Sequence, residues 1–278
     1  MRRAILYVHG KGGSPDEAAR FGQLFPSRVV MGLNYRSDTP WETREEIRVA
    51  VGALARECDR ISLIANSIGA YYAMNAGIGD RLEHAYLISP VLDMERLILD
   101  RMRRAGVDEE TLRRMGTVPT DSGEALSWAY LTYVREHPVE WGVPTDILIG
   151  GADALLPRET AEKFATTHSA TLTVMENGEH WFHTQEQLRF LDRWLEKCRK
   201  SPRKPVSAPE SLWLGLGRLF SARIRYSVAL SGSSCASTRF HSRRIASGLM
   251  VLGAWGAGLG FSCCRAVVSA SIALHSAS

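Results

Sequence analysis

The chain is expected to fold as an α/β protein, a doubly wound and mostly parallel sheet of about six strands with a helical insertion. Three observations carry that expectation. Short apolar runs recur at 4–8, 28–33, 61–65, 85–89, 147–149 and 171–175, and continuous runs rather than alternation suit strands covered on both faces. Helical patterns lie between them, which implies parallel pairing through crossovers and functional groups at the carboxyl ends of the strands. The 278 residues are 45% apolar and 23% charged, enough to bury a sizeable core, which excludes a wholly disordered, collagen-like or disulfide-scaffold chain.

The elements follow in order. Thr39-Pro40-Trp41-Glu42 places a capping residue, a proline at the first helical position and a glutamate at the third, opening a helix that runs to about Glu57. The third strand runs directly into a helix of small and apolar residues that closes near Gly77. Thr184-Gln185-Glu186-Gln187 is a second capping box, and Leu188, Leu191, Trp194, Leu195 and Cys198 share one face of the helix it opens. The interval 92–145 is too long for a simple crossover and reads as a helical insertion, a lid over the sheet edge. Its Met94, Met102, Met115, Trp128, Tyr130, Tyr133 and Trp141 either pack the insertion on the body or line an apolar acyl pocket.

Charge and cysteine divide the chain. Residues 1–200 carry 25 Lys+Arg against 29 Asp+Glu, a net of −4, whereas 201–278 carry 9 against 1, a net of +8. The folded part therefore offers no electrostatic case for nucleic acid. Cys58 and Cys198 are isolated thiols, which argues for a reducing compartment, the cytoplasm, and neither belongs to a zinc-binding pattern, so no metal or cofactor is expected. The five apolar residues at 4–8 are too few for an export signal, which needs roughly 7–15. The 201–278 tail, with 16 serines in 78 residues, reads as disordered or non-native. Its uncharged stretch 245–264 is a weak transmembrane candidate, diluted by five glycines.

Four motifs carry chemistry. Ile61-Ser-Leu-Ile-Ala-Asn-Ser67-Ile-Gly-Ala70 is a buried strand turning sharply through Ser67 into a helix, with small residues two before and two after the serine where a larger side chain would collide. A serine at a helix start has backbone N–H groups and the positive dipole end aimed at a developing oxyanion. His9-Gly-Lys-Gly-Gly-Ser14 follows the first strand, and its His-Gly-x-Gly form suits an oxyanion loop. The backbone N–H groups of Lys11 and Ile68 are assigned as the donors, with His9 a structural brace. Phosphate-cradling patterns are absent. Asp153 lies just past Gly150-Gly151 at the end of the fifth strand, placed to orient an imidazole, whereas Asp146 precedes that strand and sits at the wrong end. His180 lies on a glycine-containing loop beyond the sixth strand, with His183 as its rival. The order Ser67, Asp153, His180 is that of one known serine-hydrolase type.

With these motifs, H-G-K-G-G-S, A-N-S-I-G-A, G-G-A-D-A-L-L-P and G-E-H-W-F-H, residues 1–200 resemble small bacterial α/β-hydrolases of the esterase/lipase-like group. The resemblance implies an α/β-hydrolase fold and a serine hydrolase cleaving a carboxylic ester of a small or medium acyl group through an acyl-enzyme. It implies the triad Ser67, Asp153 and His180, an oxyanion hole at Lys11 and Ile68, a small-molecule ester substrate and no cofactor. Ala65 replaces a glycine of the family pattern. Lys11 stands where a bulky apolar residue is common, an ammonium that would favour an acidic substrate group. A thioesterase, an acyltransferase or an aminopeptidase, the last needing an amine anchor such as Glu124 or Glu136, would use the same triad. A non-catalytic binding protein of this fold is the reading outside the enzymes.

Overall fold

In the computed structural model of the chain, residues 1–121 and 123–200 are described, all within one compact unit. The expectations for 201–278, including the stretch 245–264, lie outside the described residues. Six strands form one fully parallel sheet: β1 (Arg3–Val8), β2 (Val29–Gly32), β3 (Arg60–Asn66), β4 (Leu82–Ile88), then, beyond the insertion, β7 (Thr145–Gly150) and β8 (Thr171–Met175). Their spatial order is β2-β1-β3-β4-β7-β8. The chain leaves β1 for the edge at β2 and returns to its other side at β3, so the order reverses between β1 and β3. Loops leaving the carboxyl ends of two such neighbours diverge to opposite faces and open a crevice between them.

Helices cover both faces. Ala4, Leu6 and Val8 of β1 join a core with α2 (Pro40–Glu57), α3 (Ile68–Asn75) and α7 (Arg158–Thr167), while Ile5 and Tyr7 join a second core with α1 (Ala18–Leu24) and α8 (Gln185–Lys200). Side chains alternate across a strand, so a run buried throughout needs a helix layer on each side. The α2 opening differs in detail from the capping expectation: the Thr39 hydroxyl donates to the Glu42 side chain at 2.7 Å instead of capping the backbone. On α8 the capping box forms, with Gln187 N donating to Thr184 Oγ1 at 3.2 Å. The buried residue of that first turn is Gln187 rather than Leu188, because its side chain is spent on the backbone N–H groups of His183 and Thr184.

Between β4 and β7 the insertion comprises α4 (Met94–Ala105), α5 (Glu109–Met115), an antiparallel pair β5 (Thr117–Val118) and β6 (Leu126–Ser127), and α6 (Trp128–Glu136). Each helix starts on a side-chain cap: Asp93 accepts from Arg96 N, Asp108 from Thr111 N, and Ser127 from Tyr130 N. Met94, Met102 and Trp141 are buried in the larger core, Trp128 and Tyr130 pack against it, and Met115 is exposed. At the amino end of the sheet, Arg28 and Glu83 pair at 2.9 Å with little exposure, and Ser62 Oγ accepts from Arg28. There too His84 Nε2 donates to Asp146 at 2.8 Å, so Asp146 is engaged far from the carboxyl ends. Among the described residues no helix is long and apolar enough to cross a membrane.

Candidate active site

Ser67 sits where β3 turns into α3, with φ 51° and ψ −122°. A non-glycine residue with positive φ is held by its surroundings at some cost. The bonds that hold it come from the end of β4: Ser67 N donates to the Ile88 carbonyl and Val91 N to the Ser67 carbonyl, each at 3.0 Å. Between them Ser89, fully buried, also has positive φ (41°). The sharp turn drives α3 against the end of β1. A Cβ on Gly69 would lie 2.2 Å from the His9 carbonyl oxygen, so no side chain fits there. Ala65, two residues before Ser67, is fully buried.

Ser67 Oγ lies 2.8 Å from His180 Nε2, and His180 Nδ1 lies 2.7 Å from Asp153 Oδ2. The carboxylate of Asp153 is sealed from solvent, and its other oxygen accepts from the N–H groups of Leu155 and Leu156 at 2.8 and 3.0 Å. An ionised carboxylate only accepts, so Nδ1–H donates to it. That leaves Nε2 of the neutral ring as the acceptor for the serine hydroxyl. The loops carrying the two residues are joined by backbone: Ala152 N donates to the Gly178 carbonyl at 2.9 Å. Gly150 permits this crossing, since a Cβ there would stand 2.2 Å from Gly178 O. His183 does not enter the chain; its Nδ1 donates to the Trp181 carbonyl and it is largely exposed.

The loop after β1 lies beside Ser67 in the crevice where the strand order reverses. Among the described residues the N–H groups of Lys11 and Ile68 donate to no turn or loop carbonyl. His9 is buried, donates from Nδ1 to the Gly10 carbonyl at 2.8 Å and stacks on Tyr35, whose hydroxyl donates to the His9 carbonyl at 2.9 Å. Ser14 and Glu17 close a capping box after the loop, and Glu17 also accepts from the buried Tyr7 hydroxyl. Burial of the Tyr7 and Tyr35 rings, the largest cause, pushes both phenols well above the usual range, which keeps them as donors. Nothing in the spacing pointed to Tyr7 and Tyr35, but Ser14-Pro15-Asp16-Glu17 is a capping-box pattern readable in the sequence.

The Lys11 ammonium pairs with Glu124 of the insertion, which also pairs with Arg101 of α4. The charge expected to draw an acidic substrate is therefore already met within the chain, and Glu124 is not a vacant anchor for a substrate amine. Glu136 is exposed on α6. A small cavity, partly open to solvent, lies against His180, its walls formed by the 90–93 segment, α4 and the 155–160 segment. Met94, Met102, Met115, Trp128, Tyr130, Tyr133 and Trp141 take no part in that wall; leucine and valine do.

No protein-family model matches the chain, and no curated protein matches it in sequence. Solved structures match its fold. Est1E from Butyrivibrio proteoclasticus superposes with a TM-score of 0.55 and 17% identity, covering 71% of this chain and 86% of that one. Alpha/beta hydrolase domain-containing protein 10 from mouse gives a TM-score of 0.56 and 13% identity, covering 70% of this chain and 89% of that one. Est1E with ferulic acid bound gives 0.53 and 17%, covering 72% and 88%. Together with the six-stranded parallel sheet these establish an α/β-hydrolase fold.

Proposed function

We propose that the chain is a serine hydrolase that cleaves a carboxylic ester through an acyl-enzyme. The observation that carries the reading is the unbroken chain of two short hydrogen bonds, Ser67 to His180 to Asp153, at the carboxyl ends of the strands. In this reading Ser67 Oγ attacks the ester carbonyl as His180 Nε2 takes its proton. The N–H groups of Lys11 and Ile68 hold the oxyanion. His180 returns the proton to the leaving alcohol, and Asp153 keeps the imidazole in the required tautomer and stabilises its charged form. Water then repeats the cycle on the acyl-enzyme. The 92–145 insertion serves as a lid that keeps the cleft dry.

The bound ligand of Est1E, ferulic acid, is a carboxylic acid, the product class that acyl transfer to water releases, which supports an acyl substrate. The pairing of Glu124 with Lys11 and Arg101 removes one of the two candidate amine anchors and weighs against an aminopeptidase. The proposed compartment is the cytoplasm, consistent with free thiols at Cys58 and Cys198. A fluorophosphonate probe is expected to label Ser67, and p-nitrophenyl acetate to be turned over. Absence of the label, or turnover retained in Ser67→Ala, excludes the mechanism.

A further inference from the structure

We propose that the cavity beside His180 receives the alcohol half of the ester. We propose further that this alcohol is short, uncharged and carries a second hydroxyl group, as in a monoester of a small diol or triol. The inference rests on the proposed function and deepens it.

The assignment to the alcohol half comes from the imidazole. As the bond from Ser67 Oγ to the acyl carbon forms and the ester C–O bond breaks, the proton on His180 Nε2 passes to the departing oxygen. The departing group must therefore lie against His180, and His180 forms part of this cavity's wall. The wall also includes Val91, whose N–H donates to the Ser67 carbonyl, so the cavity begins beside the nucleophile.

The size limit comes from the volume. The enclosed space has room for little more than a water-sized group, the rest of the cavity being open to solvent. Leu97 and Leu156 are nearly fully buried and close the apolar part of the wall against a long chain.

The polarity comes from Asp93, Arg96 and Thr160, which share that wall. Arg96 Nε is buried with no hydrogen-bond partner. The other guanidinium contacts are loose, 3.4 Å to the Leu155 carbonyl and 3.5 Å to Asp100. Asp93 Oδ1 accepts from Arg96 N at 2.9 Å, and its second oxygen takes no hydrogen bond among the described residues. A donor of one charge and an acceptor of the other suit a hydroxyl, which can satisfy both. A carboxylate here would face Asp93 and Asp100, and an ammonium would face Arg96.

The test uses the full chain and follows acid release from 2-hydroxyethyl acetate, n-propyl acetate and n-octyl acetate. The first two differ only by a terminal hydroxyl in place of a methyl. The expected kcat/KM for the hydroxyethyl ester is about ten-fold above the propyl ester, since a site built around a hydroxyl leaves its own polar groups unmatched without one. The octyl ester is expected to be the slowest, and Arg96→Met to shrink the hydroxyethyl-to-propyl ratio. A propyl ester cleaved as well as the hydroxyethyl ester, an octyl ester faster than the propyl ester, or a ratio unmoved in Arg96→Met overturns the proposal. If Ser67 takes the fluorophosphonate label and acetates are cleaved without this preference, only the alcohol assignment fails. If Ser67 is not labelled, the hydrolase reading falls and takes this one with it.

Discussion

Ser67, Asp153 and His180 lie far apart in sequence and meet through bonds of 2.8 and 2.7 Å. If the proposed roles hold, the measured behaviour of other triads sets the scale of loss: roughly a million-fold in kcat for Ser67→Ala or His180→Ala, and about ten-thousand-fold for Asp153→Ala. Steady-state kinetics with p-nitrophenyl acetate reads all three. Gly69 offers a test of the elbow that leaves those three side chains in place. A methyl group at 2.2 Å from the His9 carbonyl must push α3 off β1, so Gly69→Ala is expected to cost about 1–3 kcal/mol. The shift should appear in a thermal melt together with a fall in kcat. Ser89, with its positive φ, should accept glycine without loss of stability, whereas Ser89→Val should be destabilising by about 1–3 kcal/mol. Equal melting temperatures for the two variants would refute that reading of the bend.

Among the elements, the loop after β1 and the insertion are tied together by Glu124, held between Lys11 and Arg101. Lys11 is largely exposed and Glu124 only partly buried, so the tie contributes little to stability, about 0–1 kcal/mol. Its expected effect is on the loop that carries one proposed oxyanion donor. Raising ionic strength should slow the wild type, and Glu124→Gln should start slower and respond less to salt. A variant with wild-type turnover and the same salt response would show that the bridge has no bearing on the loop. The insertion was legible as a helical interruption because 92–145 is too long for one crossover. Its place beside the oxyanion loop was not, since pairing across more than a hundred residues leaves no trace in local periodicity.

At the scale of the molecule, the sheet and the two cores formed by the described residues are built from residues 1–200. We therefore expect 1–200 expressed alone to melt cooperatively and to match the full chain in ester turnover; an aggregated or inactive product would make the rest of the chain necessary. At the opposite end of the sheet from Ser67, Glu83→Gln should lower stability by about 3 kcal/mol, because it weakens compensation of the poorly exposed Arg28, while leaving kcat largely unchanged. The six parallel strands, the helices opening at Thr39 and Thr184, and the residue types at 67, 153 and 180 could all be read from the chain. Burial periodicity, capping and sharp turns are short-range properties, written in adjacent residues. Only the folded molecule brought Glu124 to Lys11, Tyr35 to His9, and Asp93 and Arg96 to the cavity beside His180. These contacts join segments distant in sequence, and their existence depends on which strands neighbour one another and how the insertion packs, not on any local pattern.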